Sequence, residues 1–571
     1  MVTWGSAKNW NSAPLLDAVG ALNAAYNKTI ALSDDLRDLN TPHGWSGNAA
    51  TAAAGKVTQI IDSLEEHAAE LAAGRRSFGD TGDAITGVMH GVREAEDLAA
   101  AQHFTISDDG TVVDSGPPTG TSADQQEAVA RERQKIAAEL RERVDQVVRS
   151  ATDVDADFSA VLDKILSGHT IDAAANDNEH TSLAGAGNAG DALGSLTIPA
   201  PPPEGATAAQ NAAYWATLSE AQRTRLAIDR PELVGPRDGF SAKQRDIANR
   251  RLIERERTTL QYARDVLQSK IDNFPRTGGG EIKLNDQREF DALKSQLQTL
   301  DGKLGGIDKL NQRLNQPADT PENQKYYLLG IDGREDGKAI VAKGNPDTAS
   351  NVATYVPGTT ADLATFSDEL DRGDAMHREA IESGGKSTSV ITWLGYDAPD
   401  TLLDAGSESY ADNGKKALDG FQDGLRESHE GVPSHNTAVG HSYGTTLIGH
   451  AARDEHLVVN DLVLIASPGV GVDHASQLNL PPDHVFSTTA DKDVIHVTNF
   501  PRLPGGDGMP GDPLGPSPTD TEFGGRTFRS NPGTTVAGPL DLPSVAAHGE
   551  YWQQNNPSLR STGKIIAGLQ P

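Results

Sequence analysis

The chain has 571 residues, too many for one ordinary hydrophobic core, so a multi-domain protein is expected. Apolar side chains make up 36% of it and aromatics 5%, beside 58 Gly and 31 Pro, a composition of globular cores joined by long helices and linkers. Its formal net charge of -31 repels phosphate backbones and anionic headgroups, which argues against nucleic-acid binding. Cysteine is absent, which excludes disulfides, a thiolate nucleophile and Cys-based zinc sites. No run approaches the ~18 to 20 apolar residues of a transmembrane segment. Met1 to Ser6 lead into no basic-then-apolar stretch, so a cleaved signal peptide is not expected.

From Leu15 to Leu39 apolar residues recur at helical spacing, through Val19, Leu22, Tyr26, Ile30, Leu32 and Leu36, and Thr41-Pro42-His43-Gly44 ends the run. A second run carries Val57, Ile61, Leu64, Ala68 and Leu71. Two such helices across a short break predict an antiparallel hairpin over 1–104 that buries one seam. The break carries Trp45-Ser46-Gly47, and here the chain resembles the WXG-type helical hairpins associated with type VII (ESX) secretion. That resemblance implies a helical partner or self-association through the hairpin, and a protein that is cytoplasmic or exported by a type VII system. The Tyr-x-x-x-Asp/Glu signal usual after the second helix is missing from Val88 to Glu94; Tyr396 to Asp400 is its one literal match.

Residues 105–207 read as connecting sequence. Thr105 to Ser122 form a linker or exposed hairpin, and Ala123 to Ser167 a charged helix. His169 to Thr207 is a low-complexity Ala/Gly/Asn stretch that ends in a proline run and lacks the periodicity of a core. Residues 208–324 form an α-helical module, with a long helix ending near Asn273 and another over Asn285 to Asn315. Pro231-Glu232-Leu233-Val234-Gly235 and Arg245-Asp246-Ile247-Ala248-Asn249-Arg250 resemble the region leading into an actinobacterial α/β-hydrolase family of undetermined substrate. Arg245 and Arg250 themselves suit helix-to-domain ion pairs.

From 325 to 571 the period changes. Short apolar runs (Tyr327 to Ile331, Lys338 to Lys343, Asn351 to Val356, Ser389 to Leu394, Thr437 to His441, Leu462 to Ala466, Val485 to Thr489) are strand-like. Helical patterns fall between several of them, at Asp362 to Glu382, Ala411 to His429 and Thr445 to Arg453. This alternation predicts a mainly parallel sheet covered on both faces, an α/β-hydrolase domain. Gly440-His441-Ser442-Tyr443-Gly444 follows one strand directly and opens a helix. A serine nucleophile needs such a strained strand-to-helix turn, and flanking glycines let the neighbouring backbone approach it.

The expected chain order is Ser, then an acid, then His. Ala490-Asp491-Lys492-Asp493 follows the last strand. Likeness to related hydrolases, where the acid lies three residues past a small one, favours Asp493, with Asp491 the alternative. Ala546-Ala547-His548-Gly549-Glu550-Tyr551-Trp552 resembles the terminal His motif of the same family and makes His548 the base. His496 lies too close to the acid's strand, and His450 and His474 have no geometric case. The oxyanion hole is expected from the Tyr443 amide and from Gly358 with Thr359 or Thr360, after the strand Asn351 to Val356. His441, Thr360, Trp393, Tyr396 and Asp397 are expected to line the substrate pocket. Pro501 to Arg526, rich in Gly, Pro and Asp, is either a lid or a disordered insertion.

No His-Glu-x-x-His or phosphate-loop pattern occurs, so no metal or cofactor is expected. The expectation is a serine hydrolase acting on a small-molecule or lipid-like acyl ester through an acyl-enzyme. The alternative is an export-linked helical interaction protein that carries an inactive or cargo hydrolase fold.

Overall fold

Small residues set the packing of the N-terminal helices. The computed structural model describes all residues except 1, 40–44, 117–125, 168–189, 191–195, 197, 278–279, 386, 498–513 and 537–541. Two compact units emerge, Met1–Arg225 and Leu226–Pro571. The first opens with α1 (Trp4–Ala7), α2 (Ala13–Leu39) and the long α3 (Asn48–Ala101). α2 and α3 run antiparallel, with Leu22, Val19 and Leu16 seated over Gly74, Gly79 and Gly82. A Cβ at Gly82 would stand 2.7 Å from Leu16, so glycine permits an approach that offsets its poor helix propensity. The sequence pattern fades near Leu71, yet α3 continues because Val88, Val92, Ala95 and Ala99 extend a buried stripe at three-four spacing. Trp45 is 51% exposed, and the Thr41 to Gly44 break beside it lies outside the described residues.

β1 (Phe104–Ile106) and β2 (Val112–Asp114) form an antiparallel hairpin. α4 (Gln126–Leu166) then packs Val144, Val147, Ala151 and Val154 against Trp4, Val88 and Val92. α5 (Ala208–Ala216) belongs to this unit, since the Ser150 hydroxyl of α4 donates to that of Thr217 at 2.9 Å. The compact division therefore falls after Arg225, whereas the sequence pattern suggests a boundary at 208.

α6 (Glu220–Asp229), α7 (Pro231–Val234), α8 (Ala242–Asp272) and α9 (Gln287–Leu314) precede the sheet. Its strands are β3 (Tyr326–Asp332), β4 (Lys338–Lys343), β5 (Asn351–Val356), β6 (Thr388–Leu394), β7 (His435–His441), β8 (Asp461–Ile465), β9 (Val485–Thr488) and β10 (Arg526–Thr527). They lie in the order β10-β9-β8-β7-β5-β6-β4-β3. β4 runs antiparallel to both of its neighbours, and every other pairing is parallel. Central strands bury both faces by alternation: Leu462 and Leu464 of β8 join one core, Val463 and Ile465 the other. The first core is shared with α9, α11 (Ser409–Glu427) and α12 (Tyr443–His450), the second with α10 (Phe366–Glu382) and α13 (Pro557–Ile566).

Edge strand β3 is capped by side chains of α8. Arg245 Nη2 donates to Leu329 O at 2.7 Å, Asn249 Nδ2 to Leu328 O at 3.0 Å, and Asp246 Oδ1 accepts from Leu328 N at 2.7 Å. These bonds take the place of a further strand and leave the edge unavailable for pairing. Arg245 also pairs with Asp238 and Arg250 with Asp246, so both arginines do more than bridge surface charges.

The 501–526 segment divides. Residues 501–513 lie outside the described residues. Leu514 and Phe523 are buried, and Arg526 begins β10 beside β9, so the second half is part of the fold and neither a lid nor an insertion.

Candidate active site

β7 delivers Ser442 to the C-terminal edge of the sheet, where the backbone turns into α12. Ser442 holds φ 52° and ψ -128°, and its N–H donates to Ile465 O on the neighbouring strand at 3.0 Å. The turn leaves no room for side chains on either flank. A Cβ at Gly440 would meet Thr445 N at 2.8 Å, and one at Gly444 would meet Val356 O at 2.2 Å. Ser442 thereby projects from a fixed backbone.

The structure brings Asp493 and His548 together from segments far apart in sequence. His548 Nδ1 lies 2.8 Å from Asp493 Oδ1, which also accepts from the Ile495 amide at 2.8 Å. The Tyr551 hydroxyl donates to Asp493 Oδ2 at 2.5 Å and accepts from Ala490 N at 2.8 Å. Asp493 is fully buried, and these donors take the place of the water it has lost. With Nδ1 donating to Asp493, Nε2 is left as the acceptor. Neither Nε2 of His548 nor the Ser442 hydroxyl has a hydrogen-bond partner among the described residues. Asp491 is exposed and stands outside this arrangement, and His496 turns its Nε2 to Ala490 O at 3.0 Å.

The loop after β5 closes on the nucleophile. A Cβ at Gly358 would stand 2.7 Å from Ser442 Cβ and 3.0 Å from Tyr443 N, so only glycine fits. Thr360 N donates to Pro399 O at 2.8 Å and is occupied. Thr359 N has no partner among the described residues, and its buried Oγ1 has none either. Tyr443 N opens α12, where a helix amide lacks an intrahelical acceptor. Gly358, the residue before Thr359, thus lies against the turn that carries the Tyr443 amide.

The expected pocket walls divide differently. Trp393 is 1% exposed and packs between Tyr396 and Phe421 in the core, because β6 is buried on both faces. Tyr396 is also buried, and its hydroxyl donates to Pro357 O at 2.8 Å, bracing the Gly358 loop from behind. Both are therefore corrected from pocket lining to support. Asp397 is exposed, and partial desolvation of its carboxyl, together with nearby Asp336, raises it above the usual range. His441 is buried against the His548 turn, its ring centre 4.8 Å from that of His548. Tyr551 carries no motif that marks it in the sequence, although its place three residues after His548 puts both on one face of a tight helical turn.

Among the described residues, Asp412, His450 and Asp454 offer ligand atoms within 4.8 Å of one another. Lys415 Nζ already lies 2.9 Å from Asp412 and 2.7 Å from Asp454, and Arg453 is 2.7 Å from Asp454, so side-chain cations satisfy these carboxylates. A groove of about 510 Å³ between α8 and α9, lined by Tyr262, Val266, Leu267 and Leu300, shares no residue with the site.

Comparison with known proteins matches residues 332–504 to the family described as Alpha/beta hydrolase. The uncharacterized protein Rv2079 of Mycobacterium tuberculosis is 27% identical over 391 residues, 64% of this chain and 56% of that one. The chain thus spans about half the length of that relative. The uncharacterized protein Mb0988c of Mycobacterium bovis is 32% identical over 183 residues, 30% of this chain and 68% of its own. Among solved structures, one described as an arylesterase aligns with 46% of this chain and 89% of its own, at 13% identity and a TM-score of 0.25.

Proposed function

Because the chain belongs to the alpha/beta hydrolase family, we propose that it is a serine hydrolase that cleaves carboxylic esters through an acyl-enzyme. One observation carries this reading: His548 hydrogen-bonded to the buried Asp493, in a domain whose Ser442 is held at φ 52° in a strand-to-helix turn. Ser442 Oγ attacks the acyl carbonyl while His548 Nε2 takes its proton. Asp493 keeps Nδ1–H oriented and stabilises the imidazolium. The amides of Tyr443 and Thr359 receive the tetrahedral oxyanion. The alkoxide leaves with the proton from Nε2, and water repeats the sequence to release the acid. Esters are favoured over amides because an alkoxide is the easier group to expel. The substrate class is a small-molecule or lipid-like acyl ester.

A second reading concerns the N-terminal unit. Leu16, Leu32, Trp45 and Ile60 are each 44–51% exposed on the α2–α3 hairpin. These side chains support its use as a docking element for a helical partner, a type VII export apparatus or another copy of the chain. Were the hydrolase fold only inert cargo, the protein would co-purify with such a partner yet ignore acylating probes. Labelling with a fluorophosphonate separates the readings: wild type is expected to react, Ser442→Ala not at all, and Asp493→Asn and His548→Ala on the order of 10³-fold more slowly or worse. Folded wild-type protein that never labels would overturn the enzymatic reading.

A further inference from the structure

A bridge of polar side chains runs from α10 to the turn that carries His548, and the acyl-transfer chemistry above leaves it without a task. Arg372 Nη1 lies 3.0 Å from both carboxylate oxygens of Glu369, one turn away on α10. The Tyr355 hydroxyl donates to Glu369 Oε2 at 2.7 Å and accepts from Arg372 at 3.3 Å. The guanidinium sits over the Trp552 ring, 4.7 Å from its centre. It also lies 3.4 Å from His441 Nδ1. On the other side of that ring, His441 Nε2 lies 2.9 Å from the carbonyl oxygen of His548.

The tautomer of His441 follows from its neighbours. A guanidinium only donates, so Nδ1 must present its lone pair to Arg372. The proton then resides on Nε2, which donates to the His548 carbonyl. Both ring nitrogens are used, and only the neutral Nε2–H form satisfies both. Burial, followed by the nearby His548 and Arg372, pushes the imidazole far below the ordinary histidine range and keeps it neutral. An apolar ring at this position would fill the same space and leave the His548 carbonyl without its donor.

We propose that Glu369, Arg372 and His441 are positioning residues that hold the backbone of the His548 turn and so set the reach of its imidazole toward Ser442. The base is then fixed twice, by Asp493 at its side chain and by His441 at its own carbonyl. The kinetic consequence rests on the serine-hydrolase reading; the structural one does not.

The test compares full-length wild type with His441→Phe, His441→Gln and Arg372→Met. Glutamine keeps a donor for the carbonyl and an acceptor for Arg372, whereas phenylalanine keeps neither. Two readouts are taken: amide hydrogen exchange over Val545–Gln553, and the rate of fluorophosphonate labelling. Phenylalanine at 441 and methionine at 372 are expected to speed exchange in that segment and slow labelling on the order of ten- to a hundred-fold. Glutamine should recover most of both losses. Folded His441→Phe and Arg372→Met proteins with wild-type exchange and labelling would overturn the proposal. If His441→Phe fails to fold, Arg372→Met decides on the same criteria; if both fail, a glutamine variant as impaired as an alanine variant overturns it. Should wild type not label, the hydrolase reading falls alone, and the exchange data still decide the tether.

Discussion

Ser442 occupies a backbone region that residues with a Cβ enter at a cost of about 1–3 kcal/mol, and Gly440, Gly444 and Gly358 are cut away around it. That combination was readable, because a Gly-x-Ser-x-Gly string between a strand and a helix has few other physical uses. Asp493 and His548 followed from chain order and family likeness. Tyr551 did not, since its service depends on a hydrogen bond across 58 residues that no local spacing reveals. Its removal gives a direct test. Tyr551→Phe leaves a buried carboxylate oxygen and the Ala490 amide unpaired, so a loss of about 1–3 kcal/mol in stability and slower labelling are expected, read by thermal melting and by probe kinetics. Trp393 and Tyr396 were misplaced for the opposite reason: an aromatic at the end of a strand looks the same in sequence whether it faces a pocket or a core.

Asp347 supplies a pH signature. It is 3% exposed, accepts from the Ala242 amide at the start of α8 at 2.6 Å, and burial raises its pKa to about 7. The fold thus favours the protonated carboxyl, so its contribution is whole below pH about 4 and is lost as pH rises through about 7. Asp347→Asn, neutral throughout, should melt higher than wild type at alkaline pH and differ little in mild acid. The gain is at most about 4 kcal/mol. An equal effect at both pH values would contradict this assignment.

At the level of elements, most strands could be placed because segments such as β5, β6 and β8 are short runs rich in β-branched and apolar residues bounded by polar turns. β10 could not, for Arg526–Thr527 carries no periodicity and becomes a strand only by pairing with β9. α3 ran past its apparent end because alanine and glycine, weak in any apolar pattern, are what its close packing needs. The loop after β5 offers the sharpest test at this scale. Gly358→Ala would drive a methyl against Ser442 Cβ and His441 O, each 2.7 Å away, and push the Thr359 amide off the elbow. Labelling should fall on the order of 100-fold while the melting curve shows a folded protein. A wild-type rate would place the oxyanion donors elsewhere.

For the whole molecule, every candidate catalytic residue lies within Leu226–Pro571, one of the two compact units. Expressed separately, that fragment is expected to fold and to label within about three-fold of the full chain, which circular dichroism and probe kinetics would check. A fragment that folds but does not react would mean that Met1–Arg225 contributes to catalysis. The α2–α3 hairpin could be recognised in sequence from its apolar period, but its partner could not, because exposed Trp45 and Leu32 report an unfilled surface and not what fills it. The measurement that bears most directly on the central claim is intact-protein mass spectrometry after fluorophosphonate treatment, followed by peptide mapping. A single adduct on the peptide carrying Ser442, absent in Ser442→Ala, is the expected result. An unmodified, folded protein, or an adduct that persists in Ser442→Ala, would contradict it.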